Sequence, residues 1–154
     1  MIKEIINIDE RAQVCEKILR SLPKWFAVES GIQYYINAVK EPNKKFLGVV
    51  QEGKTIGFAV YTEINNNTTE IDVMGILPEF QRFGYGSKLI GEIIAKCQTK
   101  YLIVKTSDES PNDTDNYALT RNFYLKNGFE RLLTLPEIWG EQDPCLIMIK
   151  VLDK

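Results

Sequence analysis

Histidine is absent from this chain. Its absence excludes the imidazole base of Ser-His-Asp and Cys-His hydrolases and any metal centre built on imidazole ligands. Proton transfer falls to Glu, Asp, Tyr, Lys, Cys or water, and no metal is expected. Cysteine is scarce. Cys15, Cys97 and Cys145 are odd in number and lie far apart, without the close pairs of a zinc site or a redox motif, so they are expected to be buried, reduced thiols. Nowhere does an apolar run approach the roughly 20 residues of a membrane span, and MIKEIINIDE lacks the apolar centre of a signal peptide. The expectation is a cytoplasmic protein with no membrane partner. Excess positive charge is missing too: 19 Lys and Arg stand against 21 Asp and Glu, a net charge of −2. Nucleic-acid binders show a basic stripe, whereas here lysines and glutamates are interspersed. Nucleic acid is therefore not expected, and an amine-bearing substrate suits the surface better.

What is present describes an ordinary globular protein. Hydrophobic residues make up 44% and charged residues 26% of 154 positions, enough to bury a core in one domain spanning residues 1–154. Residues 2–7 read as a first strand. Asp9 then reads as an N-cap, and Val14, Cys15, Ile18, Leu19 and Leu22 recur at helical spacing up to Pro23. Ile32, Tyr35, Ile36 and Val39 predict a second helix over about 29–40. FLGVVQ and KTIGFAVYTEI flank Glu52-Gly53, a tight hairpin signal, and the polar INNNTT leads into TEIDVMGIL, giving three antiparallel strands. Leu89, Ile90, Ile93, Ile94 and Cys97 trace a helical face, YLIVKT is a short apolar strand, and SDESPNDTDN is a loop. ALTRNFYLKN reads as a helix closed by Gly128, before the strands FERLLTL and CLIMIKVL. There are no repeats and no linker, and the order is mixed α/β around one sheet.

The stretch QRFGYGSKLIGEII, Gln81 to Ile94, carries chemistry. Glycines one residue apart precede a helix, whose N-terminal N–H groups are unpaired and partially positive. Successive amides of Phe83, Gly84, Tyr85, Gly86 and Ser87 can form a nest for a phosphate, with glycine keeping side chains out of the way. A structural turn or another phosphate site is the alternative. The spacing is not that of a P-loop, and the third glycine and acidic partner of a dinucleotide fingerprint are missing.

MGILPEFQRFGYGSKLI resembles the acyl-CoA-binding signature of the GNAT acetyltransferases, with Gln81-Arg82-Phe83-Gly84-Tyr85-Gly86 as its Q/R-x-x-G-x-G/A core. TRNFYLKNGFE is similar to the family's Tyr-x-x-x-Gly-Phe ending, in Tyr124, Gly128 and Phe129. The resemblance implies a single-domain GNAT-like fold, a mixed central sheet of about six to seven strands flanked by about four helices. It also implies an N-acetyltransferase that moves an acetyl group from acetyl-CoA to a primary amine of a small molecule or peptide, by direct transfer in a ternary complex. A noncatalytic acyl-CoA sensor on the same fold is the other reading, and an interaction module with a vestigial pocket a third. A homodimer is compatible with either of the first two.

Under this resemblance the amides of the loop hold the pyrophosphate. The peptide-like pantetheine arm pairs with the strand edge at Met74 to Leu77 as an added strand would, with Ile76 nearest the thioester and its N–H polarising the carbonyl. Arg82 and Lys88 either add charge for the phosphates or are solvated side chains. Tyr124 takes the family's position for the acid that protonates the departing thiolate, its alternative being a core aromatic beside Phe123. In TEIDVMGIL the period of two puts Glu70, Asp72, Met74 and Ile76 on one face. Glu70, acting through a water, or Asp72 is the candidate base. The alternatives are a solvated sheet surface and no dedicated base. Trp25 and Phe26, in LPKWFAVE, are candidate acceptor-pocket residues or else core aromatics. Asp108, Glu109, Asp113 and Asp115, with the segment 136–144, form the candidate opposite wall, where carboxylates attract a cation. Asn116 and Ala118 stand further from Tyr124 than in the common family pattern.

Overall fold

The structure, a computed structural model, describes residues 1–109 and 117–154. Among the described residues, seven strands and five α-helices follow one another as β1 (Ile2–Glu4), α1 (Ile8–Arg20), α2 (Glu29–Ala38), β2 (Lys45–Gln51), β3 (Lys54–Glu63), β4 (Thr68–Ile76), α3 (Tyr85–Lys96), β5 (Tyr101–Ser107), α4 (Ala118–Lys126), β6 (Glu130–Leu135), α5 (Pro136–Trp139) and β7 (Cys145–Val151). The sheet order is β1-β2-β3-β4-β5-β7-β6. The β4-α3-β5 passage is the helical crossover that a parallel pair requires, while the pairs β1–β2, β2–β3, β5–β7 and β6–β7 are antiparallel, so the sheet is mixed as expected. The chain folds as two compact units that share β4: Met1–Thr62 with Ile71–Cys97, and Glu63–Glu70 with Gln98–Lys154.

In the first unit β1 pairs with β2, and β2 with β3, around a turn in which Glu52 (φ 47°) and Gly53 (φ 77°) are both left-handed. Those angles match the right-handed twist of the flanking strands, which is why Glu-Gly signalled a hairpin. Helix α1 starts earlier than expected. Its cap is Asn7, whose side chain accepts from the Glu10 amide at 2.9 Å, while Asp9 lies inside the first turn and favours the helix dipole from there. The first strand accordingly ends at Glu4 rather than residue 7. Ile18 and Leu19 of α1, Leu22 just after it, Ile32 of α2, and Phe46, Phe58 and Ile71 of the strands are buried. Gly75 lets α1 and the residues just after it approach β4 closely, since a Cβ there would lie 3.1 Å from Ile18 and 3.0 Å from Leu22. Arg11 is buried as well, its guanidinium donating to the carbonyls of Ile5 (2.6 Å), Lys44 (3.1 Å) and Val39 (3.3 Å). These bonds tie the end of β1, the end of α2 and the entry to β2 to one side chain.

In the second unit β7 runs antiparallel to both β5 and β6. The polar INNNTT stretch is an Asx turn: Asn65 Oδ1 accepts from the amides of Asn67 (2.8 Å) and Thr68 (2.9 Å). Arg121 of α4 is buried and donates to the Ser107 carbonyl at 2.7 Å, anchoring α4 to the end of β5. One short helix, α5, goes beyond the expected number, because four residues carry no readable period. Cys15, Cys97 and Cys145 are free and buried, and burial together with Glu16 pushes the Cys15 thiol up to about 12.

Candidate functional site

Strand β4 alternates in burial as its sequence predicts. Ile71, Val73, Gly75 and Leu77 are buried, while Glu70, Asp72, Met74 and Ile76 are half-buried on the other face. Neither carboxylate is a solvated surface charge. Asp72 Oδ2 accepts from Thr62 Oγ1 at 2.6 Å and pairs with Lys44 Nζ at 3.3 Å. Both donors meet the same oxygen, Oδ2. Glu70 pairs with Lys105 Nζ at 3.6 Å, its side chain 15% exposed. Lys44, Thr62 and Lys105 were not singled out in the sequence. A lysine before β2 and another within an apolar strand carry no signal of their partners.

The end of β4 leads straight into the glycine loop. The Leu77 amide donates to Ile56 of β3 at 2.9 Å, so the peptide groups of Ile76 turn toward the opposite strand edge. The Ile76 carbonyl there accepts from Gln81 Nε2 at 3.0 Å, which pins the loop to the strand end after a 3-10 turn at Pro78–Phe80. Arg82 is left-handed (φ 69°), at a cost on the order of 1 kcal/mol for a residue with a Cβ. Gly84, left-handed too (φ 84°), is the N-cap of α3. Within the protein a Cβ on Gly84 would meet nothing within 4 Å, so backbone conformation, not crowding by neighbouring protein atoms, calls for glycine here.

The cap makes no side-chain hydrogen bond and the first turn of α3 holds no acidic residue. The helical ladder begins with the Lys88 amide on the Gly84 carbonyl at 3.1 Å. Among the described residues the amides of Phe83, Gly84, Tyr85, Gly86 and Ser87 have no acceptor. A row of unpaired donors at an uncompensated positive helix end suits a phosphate. Around it Phe83 is 68% exposed, Arg82, Ser87 and Lys88 are exposed, and Lys88 Nζ lies 5.5 Å from the centre of the Tyr85 ring.

In the second unit Tyr124 is buried on α4, its ring edge-on to Phe123 (5.3 Å) and Phe129 (5.4 Å). The packing role weighed for it is therefore real, and leaves open a further use of the phenol. Trp25 and Phe26 are half-buried, and Phe26 meets Tyr35 edge-on at 5.9 Å. Val28 in the connection between α1 and α2 and Tyr34 on α2 are 66% and 67% exposed, so both carry accessible apolar surface. Asp108 needs correcting as an attractor of external cations. Its carboxylate is held by Arg131 (2.7 and 2.8 Å), Thr134 Oγ1 (2.6 Å) and the Glu109 amide (2.8 Å). Burial alone would raise its pKa, but these donors bring it below the ordinary value. Asp113, Asp115 and Asn116 lie outside the described residues. Among the described residues no group of three His, Cys, Asp or Glu could hold a metal ion, and no helix is long and apolar enough to cross a membrane.

No protein of curated function matches this chain in sequence. Among solved structures, one described as a GNAT-family acetyltransferase from Desulfovibrio desulfuricans has a TM-score of 0.85 at 18% identity, covering 98% of both chains. An aminoglycoside 6′-N-acetyltransferase complexed with coenzyme A has a TM-score of 0.77 at 16% identity, over 98% of this chain and 96% of that one. The ribosomal-protein-S18-alanine N-acetyltransferase from Escherichia coli has a TM-score of 0.75 at 17% identity, over 100% and 94%. At such identities the likeness is one of fold. Residues 11–129, from within α1 through the glycine loop to Phe129, match the profile of the Acetyltransferase (GNAT) family, and the chain belongs to that family.

Proposed function

We propose that this acetyltransferase, working as one domain over residues 1–154 in the cytoplasm, moves an acetyl group from acetyl-CoA to a primary amine of a small molecule or peptide, directly and in a ternary complex. The observation that carries the reading is the row of unpaired amides from Phe83 to Ser87, pinned to the end of β4 through Gln81. The amides bind the pyrophosphate, with Arg82 and Lys88 adding charge at its flanks. The edge at Met74 to Leu77 receives the pantetheine amides, and the Ile76 N–H polarises the thioester carbonyl. Acetyl-CoA supplies the activated acyl group, and the chain's own groups manage protons. Tyr124 donates one to the departing thiolate. Glu70 takes one from the acceptor ammonium through a water, with Asp72 as the other candidate acceptor. Trp25 and Phe26 line the acceptor side. Both a monomer and a homodimer are compatible with this chemistry.

The test measures acetyl-CoA binding by calorimetry and thiol release against polyamines, amino sugars, amino acids and peptides with free N-termini or lysines. Binding with thiol release on at least one amine is expected. Binding without release on any of them would favour a noncatalytic sensor, and no binding would remove the coenzyme assignment.

A further inference from the structure

We infer that Lys44 and Asp72 read the acceptor as a pair, and that the acceptor carries a carboxylate beside its amine, as a free α-amino acid does. The inference rests on the proposed transfer to an amine and names the acceptor class. Asp72 stands two residues before Met74 on β4, so about 7 Å of strand separates it from the edge assigned to the thioester arm. An amine held at Asp72 lies within a side chain's length of that edge.

The way the pair is held sets it apart from the structural charges of this protein. Asp72 is fixed by buried Thr62, whose hydroxyl donates to it at 2.6 Å. Lys44 is fixed only at its root, where the carbonyl accepts from Arg11 at 3.1 Å and the amide donates to the Glu41 carbonyl at 3.1 Å. Its ammonium is held loosely. Nζ lies 3.3 Å from Asp72 Oδ2, beyond the roughly 2.7–2.9 Å of a close charge-assisted bond, and among the described residues the side chain bonds to Asp72 alone. Arg11, by contrast, donates to three carbonyls, and Lys150 Nζ donates to the Asn127 carbonyl at 2.7 Å. The side chains of Lys44 and Asp72 are only 18% and 19% exposed, so both charges have given up most of their water. One long contact compensates an ammonium with three donors only in part. A ligand carboxylate on Lys44 and a ligand ammonium on Asp72 complete both. In an α-amino acid these two groups share one carbon, which spaces them on the scale of the pair itself. A polyamine brings a second positive charge toward Lys44 instead, and like-charge repulsion disfavours it.

The experiment is steady-state thiol release by the full chain with acetyl-CoA, comparing a panel of α-amino acids with their carboxamides and with polyamines. A carboxamide keeps the amine and the side chain and loses the negative charge. Its amine is also less basic, which helps it react, so a preference for the acid reports recognition. The parent is expected to favour an amino acid over its carboxamide at least about tenfold in kcat/KM, chiefly through KM. Lys44→Gln should bring that ratio toward one, and Lys44→Arg, which keeps the charge, should retain more of it than Lys44→Gln. A parent that uses carboxamides or polyamines as well as amino acids overturns the acceptor class, and this outcome needs no variant. A folded Lys44→Gln protein that keeps the parent's ratio overturns the role of Lys44. Acetyl-CoA binding without thiol release on any amine overturns the transfer reading beneath both.

Discussion

At the residue scale the uncertain roles belong to Tyr124 and Glu70, and each has a substitution that separates chemistry from packing. Tyr124→Phe keeps the ring that packs against Phe123 and Phe129 and removes only the hydroxyl. If the phenol protonates the departing thiolate, turnover should fall about ten- to a hundredfold while acetyl-CoA affinity holds, since the hydroxyl acts as charge develops on sulfur. Steady-state kinetics with calorimetry checks this, and equal turnover would leave Tyr124 a packing residue. Glu70→Gln keeps the size of a half-buried side chain beside Lys105 and removes its basicity. Most alkylamines are protonated near neutrality, so the variant should turn over slowly there and recover part of its rate as rising pH deprotonates the amine. Superimposable pH-rate profiles would shift the role to Asp72 or to no dedicated base. A changed acceptor KM alone would make Glu70 a binding group.

At the element scale the bond between β5 and β6 through Asp108 is a titratable one. Arg131, Thr134 and the Glu109 amide hold the carboxylate ionised below its ordinary value of 3.8. A depressed folded-state value stabilises the fold above the unfolded carboxylate's pKa, and that stabilisation is lost as pH falls through the folded value. Asp108→Asn should therefore melt below the parent at neutral pH. The gap should be about 1 kcal/mol or less, because Arg131 is half exposed and solvent screens the pair. It should close on acidification well below pH 3.8. Thermal melts across that range decide it, and a gap independent of pH would mean that the clamp works without the charge.

For the whole molecule, ligand binding and stability are one measurement. A ligand that binds only the folded chain stabilises it by about 2.7 kcal/mol at a hundred times its Kd, which for a chain of this size raises Tm by roughly 5–10 °C. Coenzyme A should give the parent such a shift. Gly84→Val should fold, since a Cβ there meets nothing, but should lose most of the shift, because a β-branched residue resists the left-handed angle that aligns the amides. A full shift in the variant would detach the glycine loop from the coenzyme.

By itself the sequence determined what local rules can encode. The alternation along β4, the hairpin at Glu52-Gly53, the helical faces of α1 and α3 and the glycine loop were all legible, because side-chain period and turn conformation depend on residues a few places apart. The family motif added the expected fold and chemistry through the same local pattern. Tertiary structure decided the partners. Lys44 reaches Asp72 across 28 positions and Arg131 reaches Asp108 across 23, contacts that strand order and register create and that neither residue announces. It also decided that Asn7, not Asp9, caps α1, and that Arg82 is left-handed at the mouth of the loop. Both depend on where the chain leaves a strand to enter a helix. Sequence sets which residues can cap or turn, but the packed strands and helices on either side fix which of them does.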